Sequence, residues 1–343
     1  MTAPNPFPRA DSGWRLVIVG ATSLKGKELA QVLEERLFPV EKLHLLDDAE
    51  ARGRLTEFAG EPAVVESIAP ESFAEADLVF FACTTHAFTR AHWAAAAASS
   101  AAVIDLSHAL LEVPQAKVQV PFLEDPRAGS AGTPPHWFMA PHPAAIVLLA
   151  LGRRLGARFP LRQMVANVFE PVSERGATGL DELQEQTVQL LSFKDFSREV
   201  FDAQVAFNLL PRYGDQSAAC LEEVESTIRR QIGRLEPVVA ERLALRVIQV
   251  PVFHSHSLSV LVELEGPVEV SAVEAVLAGE RLRLLGPEDL PTAVVNVAGK
   301  DEILVGPVVR DAQRPGAFWL WAVADNLRLI ARTAVDIAET LLE

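Results

Sequence analysis

Three groups of residues in this 343-residue chain have types and spacings that could do chemistry. The first is Gly20-Ala21-Thr22-Ser23-Leu24-Lys25-Gly26, between the β-branched run RLVIVG (15–20) and a helical pattern from Lys25 to Phe38. Glycines in a strand-to-helix turn permit a tight bend and let a pyrophosphate approach the helix N-terminus. The same turn can also join strand to helix with no ligand. The second group is His254 and His256, two residues apart, whose imidazoles share one face in extended backbone and could contribute to a metal site. The third is Cys83 and Cys220, which give no disulfide framework and fit a reducing compartment.

The elements that must position these residues alternate in the first half. Leu43–Leu46, Leu78–Ala82 and Ala102–Leu106 read as further buried strands, with an alanine-rich helix over Ala87–Ala98. Strands alternating with helices predict an α/β fold with a doubly wound parallel sheet. The second half predicts an α+β domain on a mixed or antiparallel sheet. Its helices are Ala144–Leu155, Leu180–Leu191 and Cys220–Leu235. Its strands are Met164–Phe169, Leu243–Val252, Ser257–Glu265, segments near Val294 and Ile303, and Phe318–Val323. An amphipathic helix, Leu327–Leu342, closes the chain.

Hydrophobic residues make up 49% of the chain, enough for two domain cores. A net charge of −15 argues against nucleic acid or an anionic membrane surface as a partner. The first residues, MTAPNPFPRADSGW, lack a secretory pattern, and Met1–Ser12 reads as a loose tail. The apolar run Ala144–Leu151 is too short to span a bilayer. A cytoplasmic protein is expected.

Ordered motifs carry a resemblance from about Trp14 to the C-terminus. Asp105-Leu-Ser107 is similar to D-N-S-S, and Ser173 with Gly176 to S-G-A-G. Gly179-Leu-Asp-Glu-Leu-Gln-Glu-Gln186 follows that turn. Phe207-Asn208 with Pro211 is similar to F-N-x-x-P, and Val250-Pro-Val252 with His256-Ser257 to R-V-P-V…H-S. Val305-Gly306 with Arg310-Asp311, and Trp321-Ala-Val-Ala-Asp-Asn-Leu-Arg328, complete the series. Together they resemble the aspartate-semialdehyde dehydrogenase family. That resemblance implies a Rossmann-type nucleotide-binding domain over 13–141, completed by a C-terminal helix over 325–343. It also implies a substrate and dimerisation domain over 142–324, and a homodimer.

In this family a cysteine at a helix N-terminus attacks the aldehyde, a histidine moves protons, and hydride passes to a nicotinamide. The resemblance places Ala144 at the cysteine position and retains the histidine as His256. Gln249 stands where a substrate-binding arginine would form a fork with a carboxylate. Leu111 takes the place of a phosphate-contacting arginine, Glu170 that of an active-site glutamine, and Leu329-Ile330 that of a Lys-Gly pair. Neither Cys83 nor Cys220 matches a position from which it could replace the nucleophile. On the cofactor side, Ser23 replaces a glycine and adds a Cβ where the backbone must approach the ligand. Cys83-Thr84-Thr85-His86 replaces a second glycine-rich loop, and Asn326 falls in the cofactor-side motif. Asp47, Asp48 and Glu50 after the second strand favour NAD over NADP, with Arg52 and Arg54 nearby; the chain could equally bind neither.

The leading expectation is a catalytically silent family member acting as a binding or regulatory protein, alone as a homodimer or with an active paralogue. The alternatives are an oxidoreductase for a non-anionic substrate working without a cysteine intermediate, and a nucleotide or metabolite sensor. For His256, Ser173, Gly176, Asp325 and Asn326 a structural role competes with a functional one: an inherited hydrogen bond, a required turn, a helix cap. No resident metal is expected. One arrangement could still hold an ion, since the resemblance brings His142, Glu170 and His108 towards His254 and His256. Otherwise His142 and His254 fill space left by a departed substrate.

Overall fold

The computed structural model describes residues 13–124, 136–286, 288–289 and 292–342, so the expected tail over 1–12 lies outside the described residues. Two compact units divide the chain. One runs up to Pro141 and resumes at Ile330; the other is His142–Leu329.

In the first unit the strands are β1 (Trp14–Val19), β2 (Val40–Asp47), β3 (Leu55–Phe58), β4 (Glu61–Ser67), β5 (Leu78–Phe81), β6 (Ala102–Asp105), β7 (Lys117–Val118) and β8 (Trp137–Met139). They form one sheet in the order β3-β4-β2-β1-β5-β6-β8-β7, parallel throughout except for the β3–β4 pair. Helices α1 (Leu24–Glu35) and α2 (His86–Ala97) connect strands in this unit. The central strands are apolar without alternation because both faces are covered. Leu16, Ile18, Leu78, Phe80 and Ile104 join one buried cluster with Leu29 and Leu33 of α1 and with Ile330, Ala334 and Ile337. Their neighbours Val17, Val19, Val79, Phe81 and Val103 join another, with Phe73, Ala96 and Leu110. The hairpin β3–β4 has no counterpart in the sequence reading, since its residues are largely exposed and carry no apolar periodicity.

The second unit holds α3 (Pro143–Arg158), β9 (Leu161–Glu170), α4 (Gly176–Leu191), α5 (Leu221–Leu235), α6 (Pro237–Arg242), β10 (Leu243–Gln249), β11 (His256–Leu264), α7 (Val270–Leu277), β12 (Leu282–Leu284), α8 (Ala293–Val297), β13 (Ile303–Val305), β14 (Val309–Arg310) and β15 (Ala317–Ala324). Helix α9 (Asn326–Glu339) begins in this unit. The sheet is mixed, in the order β10-β9-β11-β15-β13-β12 with β14 also on β15. Val294, expected near a strand, lies in the short helix α8; a β-branched run alone does not separate strand from helix. Helix α3 is buried almost continuously from Pro143 to Gly152. A Cβ on Gly152 would meet Val239 at 2.8 Å, so glycine there permits the close approach of α6.

Strand alternation delivers the polar residues of interest. Met164, Ala166 and Val168 are buried along β9, and the same period carries Glu170 inward at its end. Leu243, Leu245 and Val247 do this for Gln249 on β10, and Leu258, Val260 and Val262 for His256 on β11. Glu170 pairs in register with Gln249, and Phe169 with Ser257. All three polar side chains therefore gather at one end of the sheet.

Candidate functional site

His142 joins these three from the N-terminus of α3, where it is the N-cap and Pro143 the first helical residue. Its backbone amide donates to Gln231 Oε1 at 2.8 Å, which fixes the entry to the helix. Its ring Nδ1 accepts from the Ala144 amide at 3.2 Å. Nε2 then lies 3.7 Å from Glu170 Oε2, and His256 Nε2 lies 3.9 Å from the same oxygen. The two imidazoles cross edge to face with centroids 5.2 Å apart. His142, Glu170 and His256 are all buried.

The other oxygen of Glu170 accepts from the Arg175 guanidinium. Burial opposes ionisation of this carboxyl, yet Arg175 foremost, with the imidazoles, holds it below the ordinary carboxylate range. Burial opposes the Arg175 charge as well, but the carboxylates of Glu170 and Glu174 push its pKa higher. The guanidinium carbon stands 5.8 Å from the Tyr213 ring centroid. Tyr213 itself, raised chiefly by burial, stays a neutral phenol.

Gln249 is committed within the protein. Its Nε2 donates to the carbonyls of Glu170 (2.8 Å) and Val250 (3.0 Å), and its Oε1 accepts from the Tyr213 hydroxyl at 2.7 Å. It has no donor to spare for a substrate carboxylate. Asn326 is equally engaged: Nδ2 donates to Glu174 Oε1 and Ser173 Oγ, and Oδ1 accepts from the Ser255 amide. The cap of α9 is Asp325, whose Oδ1 accepts from the Arg328 amide. Of the two caps considered, only Asp325 takes that role. Glu182 and Gln186 accept from the amides of Val200, Val205 and Ala206, tethering the segment between α4 and α5.

His254 does not join the cluster. Ser255 adopts a left-handed φ of 76°, which breaks the extended alternation, and β11 starts only at His256. His108, in the other unit, is the left-handed residue before a short helical turn and faces His86. The residues that the sequence reading missed are Glu174, Arg175 and Tyr213. A signal was present: Glu174 and Arg175 occupy the two small positions of the S-G-A-G pattern between Ser173 and Gly176.

In the first unit the Gly20–Gly26 turn is built around its own groups. Gly20 has φ +81°, and a Cβ on Gly26 would meet the Gly20 carbonyl at 2.2 Å. Both glycines are thus required by the turn whatever it binds. Ser23 Oγ accepts from the Gly26 amide at 2.9 Å and donates to the Ala82 carbonyl at 2.7 Å, capping α1. The Ala21 amide donates to the Leu46 carbonyl, and the Thr22 amide and hydroxyl to Asp47 Oδ2. Leu24 opens α1, and buried Lys25 reaches the Leu106 carbonyl. Ser23 Oγ and Asp47 thus hold two amides of the turn, those of Gly26 and Thr22, that a pyrophosphate would otherwise approach. Burial pushes the Cys83 thiol up to about 12. Asp105 accepts from Ser107 and the Leu110 amide, so the D-x-S segment is a local turn; Leu111 beside it is buried.

Comparison with known proteins places both halves. Residues 15–127 match the semialdehyde dehydrogenase NAD binding domain, and residues 154–329 the semialdehyde dehydrogenase dimerisation domain. The chain is 35% identical to a USG-1 protein homolog of Pseudomonas aeruginosa, over 96% of this chain and 97% of that one. It is 28% identical to an aspartate-semialdehyde dehydrogenase of Prochlorococcus marinus, covering 100% of this chain and 99% of the relative. Among solved structures, aspartate semialdehyde dehydrogenase II of Vibrio cholerae, complexed with ASA, superposes with a TM-score of 0.87 at 26% identity. The match covers 96% of this chain and 98% of that one. No helix among the described residues is long and apolar enough to cross a membrane. With both domains matched in order and relatives aligned end to end, this chain belongs to the aspartate-semialdehyde dehydrogenase family.

Proposed function

We propose that this family member does not perform the cysteine-dependent, phosphate-requiring oxidation of aspartate semialdehyde, and that it acts as a homodimeric binding or regulatory protein. The observation that carries this reading is the start of α3. Ala144 has no nucleophilic atom, and its amide is held by the His142 ring. Two further features support it. Gln249 replaces a guanidinium fork and is already saturated, and Glu170 brings a buried negative charge to where an anionic substrate would bind.

Any dinucleotide binds weakly and as NAD in preference to NADP. Residues 20–26 would hold its pyrophosphate, and the carboxylates of Asp47, Asp48 and Glu50 repel a 2′-phosphate. A bound nicotinamide would supply hydride transfer, while this chain contributes the cradle. The second reading, oxidation of a non-anionic substrate without a covalent intermediate, is favoured by His256, whose two ring nitrogens have no hydrogen-bond partner among the described residues.

The test is a steady-state assay of purified protein with aspartate semialdehyde, phosphate and NAD or NADP. Turnover indistinguishable from background is expected. A turnover of about 1 s⁻¹, within the ordinary enzyme range, refutes the reading.

A further inference from the structure

We infer that His142, Glu170 and His256 form a binding site for one divalent transition-metal ion, with zinc the best match. Nε2 or Nδ1 of each imidazole and one carboxylate oxygen can be chosen so that all three atoms lie within 4.8 Å of one another. Among the described residues, Glu170 Oε2 and both His256 nitrogens are buried without a hydrogen-bond partner. Buried polar atoms of this kind are costly to leave unmade, and three converging ligand types in one place give them a common purpose.

The chemistry of the donors fits. Two imidazoles and a carboxylate are a zinc set that leaves a fourth, open position for water. Ligand atoms at about 2.1 Å from a tetrahedral ion stand about 3.4 Å from each other. The Glu170–His142 and Glu170–His256 separations are 3.7 and 3.9 Å, so small shifts complete the geometry. The surroundings fit as well. His142 Nδ1 accepts from the Ala144 amide, which turns Nε2 to the site; when Nε2 binds the ion, the ring proton moves to Nδ1 and the ring gives up that bond. Arg175 binds the other Glu170 oxygen and orients the ligand carboxylate, as outer groups do around metal ligands. Glu170 and Glu174 against Arg175 leave one formal negative charge for a cation to meet.

This site goes beyond the reading above and does not depend on it: turnover of aspartate semialdehyde tests the one, metal content the other. Protein purified without a histidine tag is incubated with zinc sulfate, gel-filtered and analysed for metal. About one equivalent per chain is expected. Less than about 0.1 equivalent overturns the proposal. His256→Ala and Glu170→Gln are each expected to lower retention at least tenfold, and retention of a full equivalent by both overturns the assignment. Because either variant could fold poorly, cobalt is titrated into the unmodified protein as well. Intense visible bands of a four-coordinate, nitrogen- and oxygen-bound ion are expected, and the weak spectrum of aqueous cobalt overturns the site.

Discussion

The Ala144 amide donates to Nδ1 of His142 across 3.2 Å, at the first turn of α3. The family resemblance implies a cysteine at this turn, whose thiolate unsatisfied helix amides would favour. Here an imidazole has taken one of those amides, so that donor is satisfied by the chain itself.

That bond sets the expected outcome of Ala144→Cys. The new thiol sits at a fully buried position beside a committed amide, and Gln249 still offers no fork to hold the substrate. A nucleophile without a positioned substrate loses the effective-molarity advantage. Phosphate-dependent turnover of this variant stays at background, measured as nicotinamide reduction, with a thiol titration confirming the added cysteine. Recovery to about 1 s⁻¹ by this single change refutes the argument.

The Glu170–Arg175 pair predicts a non-additive double-mutant cycle. Glu170 is fully buried and the Arg175 side chain is 18% exposed. Removing one partner strands the other charge, so Glu170→Gln lowers stability by about 3 kcal/mol in urea unfolding. Arg175→Met does the same by leaving the carboxylate unpaired. The double variant recovers most of the loss, because neither charge is then buried alone. Simple additivity shows that the pair does not act as a unit.

The same carboxyl gives stability a defined pH dependence. Its folded pKa is depressed, so the stability it contributes is present above the unfolded value of about 4.3. That contribution is lost as pH falls from there through the lower folded value. The unmodified protein therefore loses stability more steeply over this window than Glu170→Gln, as read from urea midpoints at successive pH values. Parallel curves sink the assignment.

Much of this site was legible through the ordered motifs of the family resemblance, and strand alternation accounts for how its residues are placed. Met164, Ala166 and Val168 point to the buried face, and the same count puts Glu170 there; Gln249 and His256 follow from their own strands. His254 broke the rule because Ser255 takes a left-handed turn that no pattern of residue types announced. Arg175 was overlooked because a motif was matched on Ser173 and Gly176 and not on the two residues between them. Asn326 looked like a helix cap by type, yet its amide spans Ser173, Glu174 and Ser255, partners far away in sequence. Local propensity carries no information about such contacts.

The two thiols are expected to differ in reactivity. Cys83 is buried, its thiol is pushed up to about 12 by burial, and it donates weakly to the Val19 carbonyl. Cys220 is partly exposed at the start of α5. Since the thiolate is the reacting form, an aromatic disulfide reagent titrates one thiol per native chain within minutes and the second only after denaturation. Mass mapping places the fast label on Cys220. Fast labelling of Cys83 reopens its candidacy as a substitute nucleophile.

Ser23 offers the sharpest test of the dinucleotide turn. Its hydroxyl caps α1 through the Gly26 amide and also holds the Ala82 carbonyl. Ser23→Ala loses both bonds and keeps the Cβ, so it costs about 1–2 kcal/mol and leaves the approach of a pyrophosphate obstructed. Ser23→Gly loses the same bonds and frees the same Gly26 amide, but it also removes the Cβ, restoring the glycine of the family pattern. NAD affinity measured by calorimetry is expected to rise about tenfold in Ser23→Gly, equivalent to about 1.4 kcal/mol, and to rise far less in Ser23→Ala. NADP gains less than NAD, since Asp47 still lies beside Thr22. An equal gain in both variants assigns the effect to the freed amide alone, and no gain in either shows that Ser23 does not control this turn.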